Sequence, residues 1–270
     1  MRREATYCTE EHQGFLPLSE ATRGAPRSPV DYCSRCWLRP LVQHERDLDD
    51  SAGPGGGVAV HRVGRGEMLY RRGEPLRALF VVREGLIKSR ALSYEGQDKI
   101  TALHLPGEMF GLLAIASGQH SFDALAVAPS VVCAIPFALL AARMEQDEAI
   151  ERRLFQVLSC ASARHQGFSE ALEHLDAEER IAALLLNLSH RYARTGHDPD
   201  AFPFPLRRVE VANYAGLAHE TVSRVVSKLQ SEAIVNLSGG IAEIARRDEL
   251  ERIAAECDWT DRCRCDHFGC

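Results

Sequence analysis

No apolar run in this chain approaches the length needed to cross a bilayer, and its first residues, MRREATYCTEEHQG, lack the apolar core of a secretory leader. Both absences point to a cytoplasmic protein with no membrane partner. A Gly-rich phosphate loop and an HExxH pair are also missing, and no nucleophile motif marks a Ser-His-Asp triad. A metal- or thiol-dependent enzyme remains only as an alternative without a motif of its own. Excess positive charge is lacking too: 32 Lys and Arg stand against 38 Asp and Glu, a net charge of −6. That balance excludes indiscriminate nucleic-acid binding but leaves room for one local basic face. What is present is a 270-residue chain, 45% hydrophobic and 26% charged, enough for two globular domains.

The segment LAHETVSRVVSKLQ, from Leu217 to Gln230, has the pattern of the second helix of a helix-turn-helix. Ala212 allows two helices to cross closely, Gly216 permits the tight turn between them, and Val222 and Val225 face back onto a first helix, VEVANYA. The other face then presents His219, Glu220, Thr221, Ser223, Arg224 and Ser227 to base edges and phosphates. AIVNLSGGIAEI follows, two short β-prone runs joined at Ser238, Gly239 and Gly240, a hairpin pattern. A helix-turn-helix with such a hairpin is a winged DNA-binding domain. The alternative at this point is an ordinary amphipathic helical hairpin. Between Leu206 and Arg247 six basic residues face four acidic ones, so this segment is +2 within an acidic chain.

Upstream, residues 1–57 carry Pro26, Pro29, Pro40 and a Gly/Pro run ending at Gly57, which reads as a flexible arm and linker. Over 58–137, short β-prone runs (MLYRRGE, ALFVVREG, LIKSRAL, DKITALHL, VVCAIPF) alternate with turns near Gly73, Gly85, Gly96 and Gly107, as in a compact antiparallel roll. Over 138–175 the spacing changes to fours and threes: Ile150, Leu154, Val157, Ala161, Arg164, Phe168, Ala171, Leu175. This heptad seam predicts one long helix that pairs with a second copy of the chain. Arg164 interrupts it, either snorkelling off its edge or weakening the pairing. Residues 176–254 hold a further helix, the loop TGHDPDAFPFP and the winged domain; 255–270 form a tail. The fold class is therefore α+β: an N-terminal antiparallel β-roll, a long dimerisation helix and a C-terminal winged helix-turn-helix.

Cysteine is in excess, with nine residues. In a cytoplasmic chain these are thiols, metal ligands or redox sensors rather than disulfides. Cys8, Cys33 and Cys36 precede the folded body and Cys133 lies in the roll. Cys160, on the long helix, reads as a small buried apolar residue. Cys257, Cys263, Cys265 and Cys270 crowd the tail in a spacing that matches no zinc module.

EGLIKS (84–89), HLPGEMFG (104–111), VCAIPF (132–137), AEERIAALLLNLSHRYA (177–193) and ANYAGLAHETVSR (212–224), in this order of domains, resemble the Crp/Fnr superfamily of bacterial transcription regulators, and its Fnr branch most closely. The resemblance spans roughly Gly64 to Ala254. It implies a cyclic-nucleotide-binding-like jelly roll, a homodimer, double-stranded DNA and RNA polymerase as partners, and a TTGAT-like half-site repeated as an inverted pair. Base reading would fall to Glu220, Ser223 and Arg224, with Arg224 placed for a bidentate contact to guanine. Ala218 stands where the family usually has threonine, a loss on the order of 1 kcal/mol in capping.

Cyclic-nucleotide receptors of this superfamily carry Glu after Phe-x-Gly and Arg-Ser about ten residues later. Here Leu112, and Phe122 with Asp123, occupy those places. An apolar group and a carboxylate replace the guanidinium a cyclic phosphate requires, so cyclic AMP is not expected. The Fnr branch instead holds a [4Fe–4S] cluster on three N-terminal cysteines and one in the roll, where Cys133 matches. Aligning Cys36 with the last N-terminal ligand puts Arg27 and Val30 at the two earlier positions and displaces Cys33. Cys33, Cys36 and Cys133 supply three thiolates. Cys8 is the simplest fourth, with a tail cysteine, His12, His44 or Asp31 as alternatives. A Cys33–Cys36 dithiol switch, a zinc site, bystander thiols, haem or another small ligand stay open as other readings.

Overall fold

The computed structural model describes residues 57–92 and 98–254. Eight short strands come first: β1 (Ala59–Val63), β2 (Met68–Tyr70), β3 (Ala78–Glu84), β4 (Ile87–Leu92), β5 (Asp98–His104), β6 (Met109–Phe110), β7 (Asp123–Ala126) and β8 (Ser130–Pro136), with a one-turn helix α1 (Ala114–Ser117) between β6 and β7. They form two four-stranded antiparallel sheets, ordered β1-β8-β3-β6 and β2-β7-β4-β5. Strands β3 and β8 are apolar on both faces because each face has its own cover. Phe80, Val82 and Val132 point into the roll against the second sheet. Leu79, Val81, Val131, Cys133 and Ile135 point outward under helices. The β3–β4 turn depends on Gly85, whose φ is +86°; a Cβ there would lie 2.6 Å from the Pro129 carbonyl oxygen.

The expected helix over 138–175 is two helices, α2 (Phe137–Met144) and α3 (Glu148–His174). Asp147 makes the break: its Oδ1 accepts the Ala149 amide at 2.9 Å, starting α3 as an N-cap does. Ile150 and Leu154 are buried against Val58, Val60, Val81 and Cys133 of the chain's own roll, with Val157 and Ala161 partly buried on the same cluster. Ile150 and Leu154 are therefore covered from within the chain, while Val157 and Ala161 keep part of their surface exposed. The Phe168 side chain lies outside the described residues. On the opposite face Phe155 is 58% exposed, in line with exposed Ser159, Ser162 and Gln166.

The C-terminal half contains α4 (Ala177–Ala193), β9 (Ala201–Pro203), α5 (Arg208–Ala215), α6 (His219–Ser231), β10 (Val235–Ser238), β11 (Ile241–Ile244) and α7 (Arg247–Ile253). Helix α4 opens on a capping box, Asp176 accepting from the Glu178 and Glu179 amides while Glu179 returns to the Asp176 amide. β10 and β11 turn through Gly239 and Gly240, both with positive φ, as a two-residue hairpin requires. β9 arises in the stretch expected to be a loop. It adds to the wing because Phe202 is fully buried opposite Ala242.

The two halves share one apolar core, in which Leu86, Ile100, Leu103, Leu105 and Val127 of the roll meet α4, α5, α6 and the wing. At its edge Glu108 receives Arg191 at 2.6 Å and Arg164 at 3.3 Å, so Arg164 has its partner on the roll rather than a role in the seam. Burial would push the Glu108 carboxyl up, but the two guanidiniums hold it well below the usual carboxylate range. Neighbouring His104 stacks on Phe110 at 4.9 Å and meets Ser89 Oγ at 2.8 Å. Burial, reinforced by Arg191 and Arg164, brings its pKa down to about 3 against the opposing pull of Glu108.

His104 is thus neutral in the fold but protonates near pH 6.5 once unfolded. Its contribution is complete above pH 6.5 and is lost as pH falls toward 3. By pH 5 the loss is about 2 kcal/mol. Urea midpoints measured from pH 7 to pH 4.5 are expected to fall for the native chain and to fall less for His104→Gln. At the end of α6, Ala233 takes φ +53° as its amide reaches the Gln230 carbonyl and that of Ile234 reaches Leu229, the position usually given to glycine. Ala233→Gly is expected to raise stability by about 0.5–1 kcal/mol in the same denaturation assay.

Candidate nucleic-acid interface

Helix α6 buries Val222, Val225, Val226 and Leu229, which pack in the core shared with Val211, Ala212 and Ala215 of α5. Between the two helices Gly216 takes φ +65°, and the Leu217 amide returns to the Ala212 carbonyl at 2.9 Å. This is the tight turn for which glycine is suited. The packing fixes which side of α6 faces out. His219, Glu220, Arg224, Ser227 and Lys228 are exposed there, with Thr221 and Ser223 half-buried beside them. All five residues expected to read DNA, His219, Glu220, Thr221, Ser223 and Arg224, sit on the first six positions of α6. Among the described residues no side-chain hydrogen bond or ion pair occupies Glu220 or Arg224, so both groups are available to bases. Ala218 is the N-cap, in extended conformation and without a side-chain bond to the helix amides.

Some neighbours of this face are already committed. Lys228 binds Glu178 of α4 at 2.7 Å, and that bond raises its pKa. Arg208 reaches Gln230 at 3.3 Å. The wing tip, Ser238 to Ile241, bears no charge, so the basic character of the half rests on its helices. Three polar residues joining α5 to the roll, Lys88, Glu210 and Asn213, were not singled out by sequence pattern. The only hint in the sequence is a buried-type position in a short helix occupied by Glu210.

Inside the roll the space between the sheets is filled by rings. Tyr70 stacks on His120 at 3.6 Å, and Phe80 lies 5.4 Å from Phe110 and 5.3 Å from Tyr70. Burial raises the Tyr70 hydroxyl pKa far above its ordinary value and lowers that of His120. The repulsion expected from Asp123 is largely cancelled in place. Arg90 binds this carboxylate at 2.7 Å and the Arg72 amide donates to it at 2.8 Å. Phe122 is half-buried and Leu112 belongs to the apolar cluster under α3.

Of the expected metal ligands, Cys133 lies on β8 opposite Val60 and Val81, buried in the cluster that receives Ile150 and Leu154. Cys8, Cys33 and Cys36 lie outside the described residues, as do His12, Asp31, His44 and the tail cysteines Cys257, Cys263, Cys265 and Cys270. Among the described residues no three His, Cys, Asp or Glu side chains gather in a metal-binding group. Of the two cysteines among the described residues, Cys133 is the one not in a disulfide, in surroundings whose low polarity suits a thiolate bound to iron rather than a free anion. Cys160 is buried on α3 in the wall of a cleft with Glu108, Arg164 and Arg191, and it is disulfide-bonded, which corrects its reading as a simple small apolar residue and the expectation of thiols rather than disulfides.

Comparison with known proteins agrees with this architecture. Residues 60–147 match the cyclic nucleotide-binding domain and residues 179–253 the Crp-like helix-turn-helix domain. The chain is 33% identical over 232 residues to the fumarate and nitrate reduction regulatory protein of Escherichia coli, covering 83% of this chain and 90% of that one. It is 34% identical over 188 residues to the regulatory protein HlyX of Actinobacillus pleuropneumoniae, covering 70% and 78%. Among solved structures, FixK2 from Bradyrhizobium japonicum superposes with a TM-score of 0.65 at 28% identity, over 73% of this chain and 98% of its own. Among the described residues no helix is long and apolar enough to cross a membrane. With a sensor-type roll, an outward-facing reading helix and relatives matched over most of their length, the chain belongs to the Crp/Fnr family of DNA-binding transcription regulators and is not an enzyme.

Proposed function

We propose that this regulator works in the cytoplasm as a homodimer, reads an inverted repeat of TTGAT-like half-sites and is controlled by oxygen or redox state through a [4Fe–4S] cluster. The observation that carries the DNA reading is the unengaged pair Glu220 and Arg224 on the outer face of α6. Arg224 donates two hydrogen bonds to O6 and N7 of a guanine, Glu220 accepts from a cytosine or adenine amino group, and Ser223 contacts the adjoining base. His219 and Thr221 stand at the helix start, where phosphates approach. A dimer sets two such helices about one helical turn apart in successive major grooves, presenting a surface to RNA polymerase beside the DNA. Since Ile150 and Leu154 rest on the roll, pairing falls to the rest of α3, the half-buried Val157 and Ala161 with the exposed Phe155, Ser159, Ser162 and Gln166.

Cys133, with Cys33, Cys36 and Cys8, would hold the cluster, which supplies oxygen-sensitive iron–sulfur chemistry when bound. Cys133 then ties the arm to the outer face of β8, directly beneath α3. Cyclic AMP is not the signal: the Tyr70, Phe80, Phe110 and His120 rings fill the roll, and Arg90 is committed to Asp123.

A labelled duplex carrying two inverted TTGAT half-sites tests the reading. Arg224→Ala is expected to lose about tenfold to a hundredfold in affinity for it, with little change on a scrambled duplex. Equal affinity of the native chain for both duplexes would sink the proposed half-site. Protein purified without air should contain iron and acid-labile sulfide and show a visible absorbance that bleaches in air. Cys133→Ala should contain much less iron. Iron-free protein that still binds its site with full affinity after anaerobic reconstitution would overturn the cluster.

A further inference from the structure

Strand β5 lies at the edge of its sheet, so one row of its amides and carbonyls has no strand partner. Helix α5, the first helix of the helix-turn-helix, covers that edge with one side chain. Asn213 Oδ1 accepts the Ile100 amide at 2.6 Å, and its Nδ2 donates to the Asp98 carbonyl at 2.6 Å. The carboxamide thereby does what a neighbouring strand would do, filling a donor and an acceptor two residues apart. One turn earlier on the same helix, the buried Glu210 receives Lys88 of β4 at 2.7 Å and Arg65 at 3.5 Å. Lys88 comes from EGLIKS and Asn213 from ANYAGL, and base reading gives neither residue a task.

From this clamp we infer that Asn213 and Glu210 are positioning residues, through which the edge of the roll sets the orientation of the recognition helix. The inference rests on DNA reading by α6. Helices α5 and α6 share a continuous apolar contact, Val211, Ala212 and Ala215 with Val222, Val225 and Val226, so they move together. The DNA-binding half also touches the roll at Arg191, which binds Glu108 near the far end of α4. One polar anchor leaves a pivot; two anchors on different helices fix a direction. The joint between α3 and α4 is only Leu175 and Asp176, too short to hold the domain by itself. The clamp leaves the reading side of α6 uncovered, so it aligns the reader rather than hiding it.

Orientation has a readout that bulk stability lacks, the dependence of affinity on the spacing between half-sites. Asn213 is half-buried and its partners lie on a sheet edge, so water can replace it in Asn213→Ala without unfolding the chain. Lys88→Gln loosens the same clamp from the roll side. Full-length protein would be titrated with inverted-repeat duplexes of matched spacing and of spacing altered by one and two base pairs. Both variants should lose about tenfold on the matched duplex and discriminate less among spacings than the native chain. A broad-specificity protease should cut them faster at residues 174–176, with the melting temperature nearly unchanged. Native affinities and spacing preference, or an equal loss at every spacing with no faster cleavage, would overturn the inference. If the native chain itself prefers no inverted repeat, the dimeric reading fails, while the cleavage comparison still decides whether the clamp holds the domain.

Discussion

Glu108 is the point at which three parts of the chain are joined by charge. It sits on the loop before β6, takes Arg191 from α4 and Arg164 from α3, and accepts the Leu105 amide at 3.1 Å. Taking a carboxylate and two guanidiniums out of water costs several kcal/mol per ion, and only close, well-bonded partners return it. Arg191 therefore also binds Asn187 and the Leu103 carbonyl. Such a cluster adds little net stability over an apolar packing of the same shape, yet it tolerates only one arrangement of its members. Its effect is to specify how roll, long helix and DNA-binding half are set against one another, where the apolar core they share would permit sliding.

Reading the chain from its residues alone reached the DNA-binding end more fully than the middle. At that end local chemistry decides: a Gly at a left-handed turn, valines at helical spacing and a Gly-Gly hairpin each state their own conformation. Cys133 and the two-sided strands β3 and β8 were visible as apolar runs for a similar reason. The middle depends on partners distant in sequence. A heptad stripe declares that Ile150 and Leu154 are buried, but not what buries them, and the roll lies as close as a second copy would. Arg164 looked like an interruption because Glu108, 56 residues earlier, cannot be inferred from helical spacing. The break at Asp147 was hidden by strong helix formers on both sides. β9 was hidden by brevity and by Pro203, and exists because Phe202 finds Ala242 across the wing.

The outer surface of the roll is as consequential as its interior. Ring stacking makes the interior a solid core, whereas the layer beneath α3 is where strand, helix and Cys133 meet. A cluster held at Cys133 as proposed would act first on that layer and on the seat of Ile150 and Leu154. From there it would reach Glu108 through Arg164, ten residues beyond Leu154 on the same helix, and so the α4 end of the DNA-binding half.

Among its described side chains, helix α3 gives Ile150 and Leu154 to its own domain, leaves Val157 and Ala161 partly covered, and turns Phe155, Ser159, Ser162 and Gln166 outward. An interface built on so little hydrocarbon has a small intrinsic association energy, because attraction in water scales with the apolar area removed from it. On the proposed pairing through that face, single and paired chains would lie close in free energy. There an input of about 1.4 kcal/mol changes occupancy tenfold. Pairing through so polar a face would be adjustable, whereas a richer seam would hold two chains together whatever signal arrived.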